Sequence, residues 1–118
     1  MHLATSFGAA LRSMRQASGL TQRELASRAD VDFSYISKLE NDRIPPPAAD
    51  TVVKLTEILG ARPDTLLALA GKLPSEIHQA VGTSPAAQEF LRTAEEMKLS
   101  DHEWRRIAAT LKRLRTRS

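Results

Sequence analysis

Cysteine is absent from this 118-residue chain, which excludes disulfides and thiolate metal sites. Aromatic residues are scarce at 4%, although 42% of the chain is apolar. Alanine and leucine must therefore supply most of any core, which points to packed helices rather than a β-sandwich. No stretch approaches the roughly 18 apolar residues of a membrane span, so no membrane partner is expected. Met1 to Arg15 lacks the basic start and long apolar run of a signal peptide, and a cytoplasmic protein is the expectation. His2, His78 and His102 are scattered, without an i, i+4 pair, so no metal is expected. There is no glycine-rich phosphate loop and no nucleophile elbow, and Glu95-Glu96 reads as a wet helix face. Neither an enzyme nor a cofactor is expected.

Charge is present but unevenly placed. The net charge is +3. Residues 1–71 hold eight Lys/Arg against eight Asp/Glu, whereas residues 72–118 hold nine against six. From Arg105 onward there are six basic side chains and no acid. Such a chain often meets a polyanion, although a solvated basic helix end has the same composition.

Apolar residues recur at helical spacing, between clear stop signals. Phe7, Leu11 and Met14, with Ala10, form one stripe closed by Gly19. Thr21-Gln22-Arg23-Glu24 is a capping box opening a short helix to Ala29. Asp32 is placed to cap the next helix, with Ile36 and Leu39 inward, before Pro45-Pro46-Pro47 ends it. Val52, Leu55, Thr56 and Leu59 repeat the stripe up to Gly60. Pro63 suits a first helical position, with Leu66, Leu67 and Leu69 behind it and Gly71 as the stop. That makes five helices in residues 1–71. Beyond them, residues 72–83 read as a short linking helix with Ile77 and Val81 inward. Ser84-Pro85 opens a helix carrying Phe90, Leu91, Ala94 and Met97. A second capping box, Ser100 to Glu103, leads into Trp104, Ile107, Ala108, Leu111 and Leu114.

The string from Leu20 to Asn41, with Thr21-Gln22-x-Glu24-Leu25-Ala26 followed by Tyr35-Ile36-Ser37-x-Leu39-Glu40-Asn41, resembles the helix-turn-helix of the phage-repressor and xenobiotic-response-element class of bacterial regulators. The resemblance covers about residues 5–71 and implies an all-α, five-helix DNA-binding domain at 1–71; the helical segment over 72–118 is read from its own stripes and caps. Leu25, Ala26, Ala29, Ile36 and Leu39 face inward on the helical repeat, and Ala26 is small where the two helices must cross closely. Phe33, Ser34, Ser37 and Lys38 then share the outward face at the head of helix 33–41. In this class that half enters the major groove. Phe33 offers an apolar contact to a thymine methyl and Lys38 a donor to a guanine edge, the alternative for Phe33 being a return into the core.

The resemblance also implies roles at single positions. Gln22, Tyr35, Asn41 and Arg43 correspond to phosphate contacts, which position without specifying. Arg23 and Arg28 lie near the same surface and are equally readable as solvated charges. Arg15 and Glu40 correspond to an ion pair that positions helices rather than touching DNA. Asp30 and Asp42 stand where glycine is common. Together with Asp32 they are expected near the DNA face, opposing phosphate and weakening a lone domain.

These readings converge on a sequence-specific transcriptional regulator, expected to repress as a homodimer on a pseudo-palindromic operator of double-stranded DNA. Phe90, Met97, Trp104, Ile107, Leu111 and Leu114 are the expected dimer contact, with docking on the first domain as the alternative, and the basic end, Lys112 to Arg117, is expected to be solvated or to lie along flanking phosphate. An antitoxin of a toxin–antitoxin pair and a phage-type immunity repressor, with a toxin or a protease as partner, belong to the same class. From another class, an interaction adaptor would use the helices only as a scaffold.

Overall fold

A computed structural model describes residues 5–115. Every regular element among the described residues is a helix, in the order α1 Phe7–Ala17, α2 Gln22–Ala29, α3 Phe33–Glu40, α4 Ala49–Leu59, α5 Asp64–Ala70, α6 Ser75–Gly82, α7 Pro85–Met97 and α8 Asp101–Arg113. None of these helices is long and apolar enough to cross a membrane. His2 and Arg117 lie outside the described residues.

Helices α1 to α5 share one core. Leu11, Leu25, Ile36, Leu39, Val52, Leu55 and Leu66 are fully buried in it, joined by Phe7, Ala26, Ala29, Leu59 and Leu67. Burying a side chain of this size stabilises the fold by about 1.5–3 kcal/mol, which is why the i, i+3, i+4 stripes face inward. Local signals set the boundaries. Thr21 and Glu24 form the reciprocal capping box at the start of α2. Gly19 and Gly60 adopt positive φ of 79° and 68° where the chain leaves α1 and α4. Asp30 ends α2 at φ 57°, a left-handed position that aspartate tolerates because its short side chain bonds locally.

Three expectations are corrected in this region. Asp32 occupies the N-cap of α3 but makes no capping bond, because its carboxylate accepts from the Ser34 hydroxyl at 2.9 Å. Pro63 precedes the first residue of α5 rather than forming it. Leu69 is exposed, since α5 has only two turns and Leu66 and Leu67 already fill its inward face.

The chain divides into two compact units, Met1–His78 and Gln79–Ser118, with the division inside α6. Ser75 at the start of α6 donates to the Asp50 carboxylate of α4 at 3.1 Å, which ties this turn to the first unit. The expected inward residue Ile77 is exposed. In the second unit, Ser84 caps α7, and Ser100 with Glu103 forms a capping box on α8. Phe90 and Trp104 meet edge to face at 6.5 Å across the two helices, and Ala94 of α7 is buried.

Candidate nucleic-acid interface

The last residue of α3 is an acid whose side chain is fully buried, and elementary electrostatics requires that it be paired. Glu40 accepts two bonds from Arg15, at 2.6 Å from Nε and 3.0 Å from Nη2. It accepts a third from Gln22 Nε2 at 2.9 Å and a longer one from Arg12 Nε at 3.4 Å. Burial pushes the Glu40 carboxyl up, but the bonds from Arg15, Gln22 and Arg12 and the Arg15 charge outweigh it and hold the group below its usual range. The Glu40 hydrogen bond and charge in turn raise the Arg15 guanidinium against the lowering effect of burial. Arg15 also donates from Nη1 to the Leu20 carbonyl at 2.9 Å. One carboxylate thus joins α1, the start of α2 and the end of α3.

This hub fixes the angle at which α3 presents its outer face. Ser34 and Lys38 are exposed there, while Phe33 and Ser37 are half-buried. Phe33 stands between its two expected places: it packs partly on the core, and the Arg23 guanidinium lies 4.4 Å from its ring centroid. Tyr35 is half-buried, and that burial pushes its hydroxyl pKa up. Asn41 and Arg43 are exposed just beyond α3. The Asn41 amide donates to the Ser37 carbonyl at 2.8 Å, and its oxygen accepts from Arg12 Nη2 at 3.0 Å. Gln22 spends one amide hydrogen on Glu40, so its oxygen and second hydrogen are what it can offer to a ligand.

Asp42 departs from expectation. It does not stand as an uncommitted charge opposing phosphate, because its carboxylate accepts from Ser6 Oγ at 2.7 Å and from the Gly8 amide at 2.8 Å. Those bonds, the Ser6 one first, hold its carboxyl below the usual range. The acid serves the N-terminus of α1, where a negative charge is favoured. Its φ of 54° turns it there.

Two residues escaped the sequence reading. A Cβ at Gly8 would lie 2.5 Å from the carbonyl oxygens of both Leu39 and Glu40, so only glycine lets α1 approach the end of α3. Arg12 reaches Glu40 and Asn41 together. Its only advance signal was its place three residues before Arg15, on the same face of α1.

The expected dimer residues lie on α7 and α8. Phe90, Met97, Trp104, Leu111 and Leu114 are exposed, and Ile107 is half-buried. Phe90, Trp104, Ile107, Leu111 and Leu114 line one apolar hollow within the second unit.

A family model described as a helix-turn-helix domain matches residues 6–70. The uncharacterized HTH-type transcriptional regulator RghRB of Bacillus subtilis strain 168 is 34% identical over 91 residues, covering 75% of this chain and 66% of that protein. The HTH-type transcriptional repressor RghR of the same organism is 32% identical over 96 residues, 81% of this chain and 70% of that one. The chain therefore spans about two thirds of the length of these relatives. Among solved structures, a SinR protein/SinI protein complex is similar with a TM-score of 0.51 at 24% identity, covering 90% of this chain and 94% of that one, a likeness of fold.

Proposed function

The chain belongs to the helix-turn-helix family of transcriptional regulators, and from that premise we propose that it is a dimeric repressor reading a pseudo-palindromic DNA operator with the exposed head of α3. This family regulates transcription and is not one of enzymes. The observation that carries the proposal is the buried Glu40 hub, which locks α3 onto α1 and α2 while leaving Ser34 and Lys38 outside. A rigidly held helix keeps its base contacts in register. In this reading Phe33, Ser34, Ser37 and Lys38 meet base edges, and Gln22, Tyr35, Asn41 and Arg43 meet phosphates.

Residues 1–71 then form the DNA-binding domain and 72–118 the dimerising segment. The exposed stripe of α7 and α8 supports self-association, because a two-helix hairpin is too small to hide both its apolar faces. Two copies would set their α3 helices about 34 Å apart, one turn of DNA. Occupying the operator blocks polymerase by exclusion, with no catalysis and no cofactor.

A gel-shift over a salt series, using DNA upstream of the protein's own gene, tests the reading. Lys38→Ala should relax preference at particular operator positions, costing about 1–3 kcal/mol for a good contact. Arg43→Ala should weaken all sequences alike and flatten the salt slope by about one unit. Identical profiles for the two variants would refute this division of labour, and a wild-type chain without sequence preference would refute the regulator's reading mode altogether.

A further inference from the structure

We propose that Arg23 is a further base-reading residue, and that the Arg23–Phe33 stack selects a guanine beside a thymine in each half-site. The inference rests on the operator-reading role of α3 proposed above. Arg23 is the second residue of α2, and Phe33 is the first residue of α3. The guanidinium carbon sits 4.4 Å from the ring centroid. No hydrogen bond or ion pair of Arg23 accompanies that contact among the described residues. Glu24 is held in the capping box with Thr21, and Glu40 is held by Arg15, Gln22 and Arg12.

A ring under a guanidinium occupies its face and leaves the in-plane N–H fork directed outward. That fork matches the O6 and N7 acceptors of guanine in the major groove. Adenine instead presents an N6 donor, which would oppose it. Stacking also limits the orientations of a long side chain, so less freedom is lost when it binds. Phe33 is half-buried with Arg23 over its ring, and the part of it that stays exposed is apolar surface for a thymine methyl. The guanidinium carbon lies 4.4 Å from the ring centroid, nearer to one base step of about 3.4 Å on a strand than to two, so the two groups address adjacent positions. The first unit has no net charge to rely on, and a directed fork therefore matters more here than phosphate attraction does.

Selection from random DNA followed by sequencing, for the wild type and Arg23→Ala, Arg23→Lys and Phe33→Leu, tests the proposal. The wild type should select a half-site with guanine next to thymine. Arg23→Ala should lose about tenfold discrimination at the guanine alone, with at most a small drop in melting temperature, because the residue is exposed and loses only its contact with Phe33. Arg23→Lys should lose the same discrimination while keeping the salt slope, since an ammonium has no fork. Phe33→Leu should weaken preference at both positions. A uniform loss across all sequences in Arg23→Ala, with a slope shallower by about one unit, would make Arg23 a phosphate contact and overturn the inference. So would an unchanged consensus, while leaving α3 as the reading helix. A wild type that selects nothing overturns both proposals.

Discussion

The two units are built from helices of the same kind and reach opposite ends. In the first, five amphipathic helices bury their stripes until Leu11, Leu25, Ile36 and Leu66 have no exposed surface. In the second, Met97, Leu111 and Leu114 remain 64%, 65% and 69% exposed. Periodicity is equally clear in both, and both contain a complete capping box. The difference is the number of neighbours available to each helix. An amphipathic stripe states that a helix needs a partner, but not which surface supplies it. The first unit supplies its own partners. The second buries only Ala94 among its described hydrophobic residues and leaves its stripes largely open.

The sharpest way to break this comparison is to place a methyl-bearing side chain at a glycine in each unit. Gly8→Val drives carbon into two backbone carbonyls that cannot rotate away, and should cost more than about 4 kcal/mol, enough to unfold the first unit. Gly82→Ala meets nothing within 4 Å and needs no left-handed backbone, so its melting curve should match the wild type or rise slightly. Circular dichroism on heating separates them. Equal effects would mean that the crossing of α1 and α3 is looser than described.

The next largest effect is expected at the Glu40 hub, which has no counterpart in the second unit among the described residues. Arg15→Ala or Glu40→Ala should each cost about 3–5 kcal/mol, since the surviving charge is left buried. The double variant should lose less than the two singles added, and strict additivity in the cycle would show that the pair does not interact. The pH dependence has a fixed sign. The folded Glu40 carboxyl is held below the ordinary glutamate value of about 4.3, so its stabilisation is complete above that pH. It is lost as pH falls through the lower folded value. Glu40→Gln should therefore flatten the acid limb of the stability curve below about pH 4.3, measured by urea unfolding.

Much of the first unit was legible beforehand, for a local reason. Leu25, Ala26 and Ala29, then Ile36 and Leu39, are inward because spacing along one helix decides it, and Thr21 with Glu24 caps within four residues. Asp42, Arg12 and Gly8 were misread or missed because their partners lie 28 to 36 residues away in sequence. Asp42 looked like a repulsive charge at the DNA face until its bonds to Ser6 and Gly8 gave it a structural task. Arg15 and Glu40 were found through family resemblance, and spacing alone would not have joined them. The outer face of α3 could be read from helical phase. The Arg23 contact that covers one side of Phe33 could not, because it depends on how α2 and α3 are crossed.

A charge in the open stripe tests the second unit without touching the first. Under the dimer proposal, Leu111→Glu should leave the melting of the five-helix core unchanged, make the chain monomeric by light scattering, and lower operator affinity at least about a hundredfold. A wild-type chain that stays monomeric at high micromolar concentration would sink the dimer, and with it this use of the stripe.

The smallest effect gives the finest comparison, because the same device occurs in both units. Thr21 accepts from the Glu24 amide at 3.0 Å, and Ser100 accepts from the Glu103 amide at 3.2 Å. Thr21→Ala and Ser100→Ala should each remove about 1 kcal/mol of helix stabilisation, since each strands one amide at a helix start. The consequences should differ in kind. Helix α2 is held by a filled core, so Thr21→Ala should lower the melting temperature of the first unit by a few degrees at every protein concentration. Helix α8 has an exposed stripe, so under the dimer proposal its folding and its association are coupled. Ser100→Ala should then leave the first unit's melting alone and raise the dimer dissociation constant, with the defect shrinking as protein concentration rises. If both variants lowered melting independently of concentration, the second unit would be stable on its own, and its open face would serve something other than self-association.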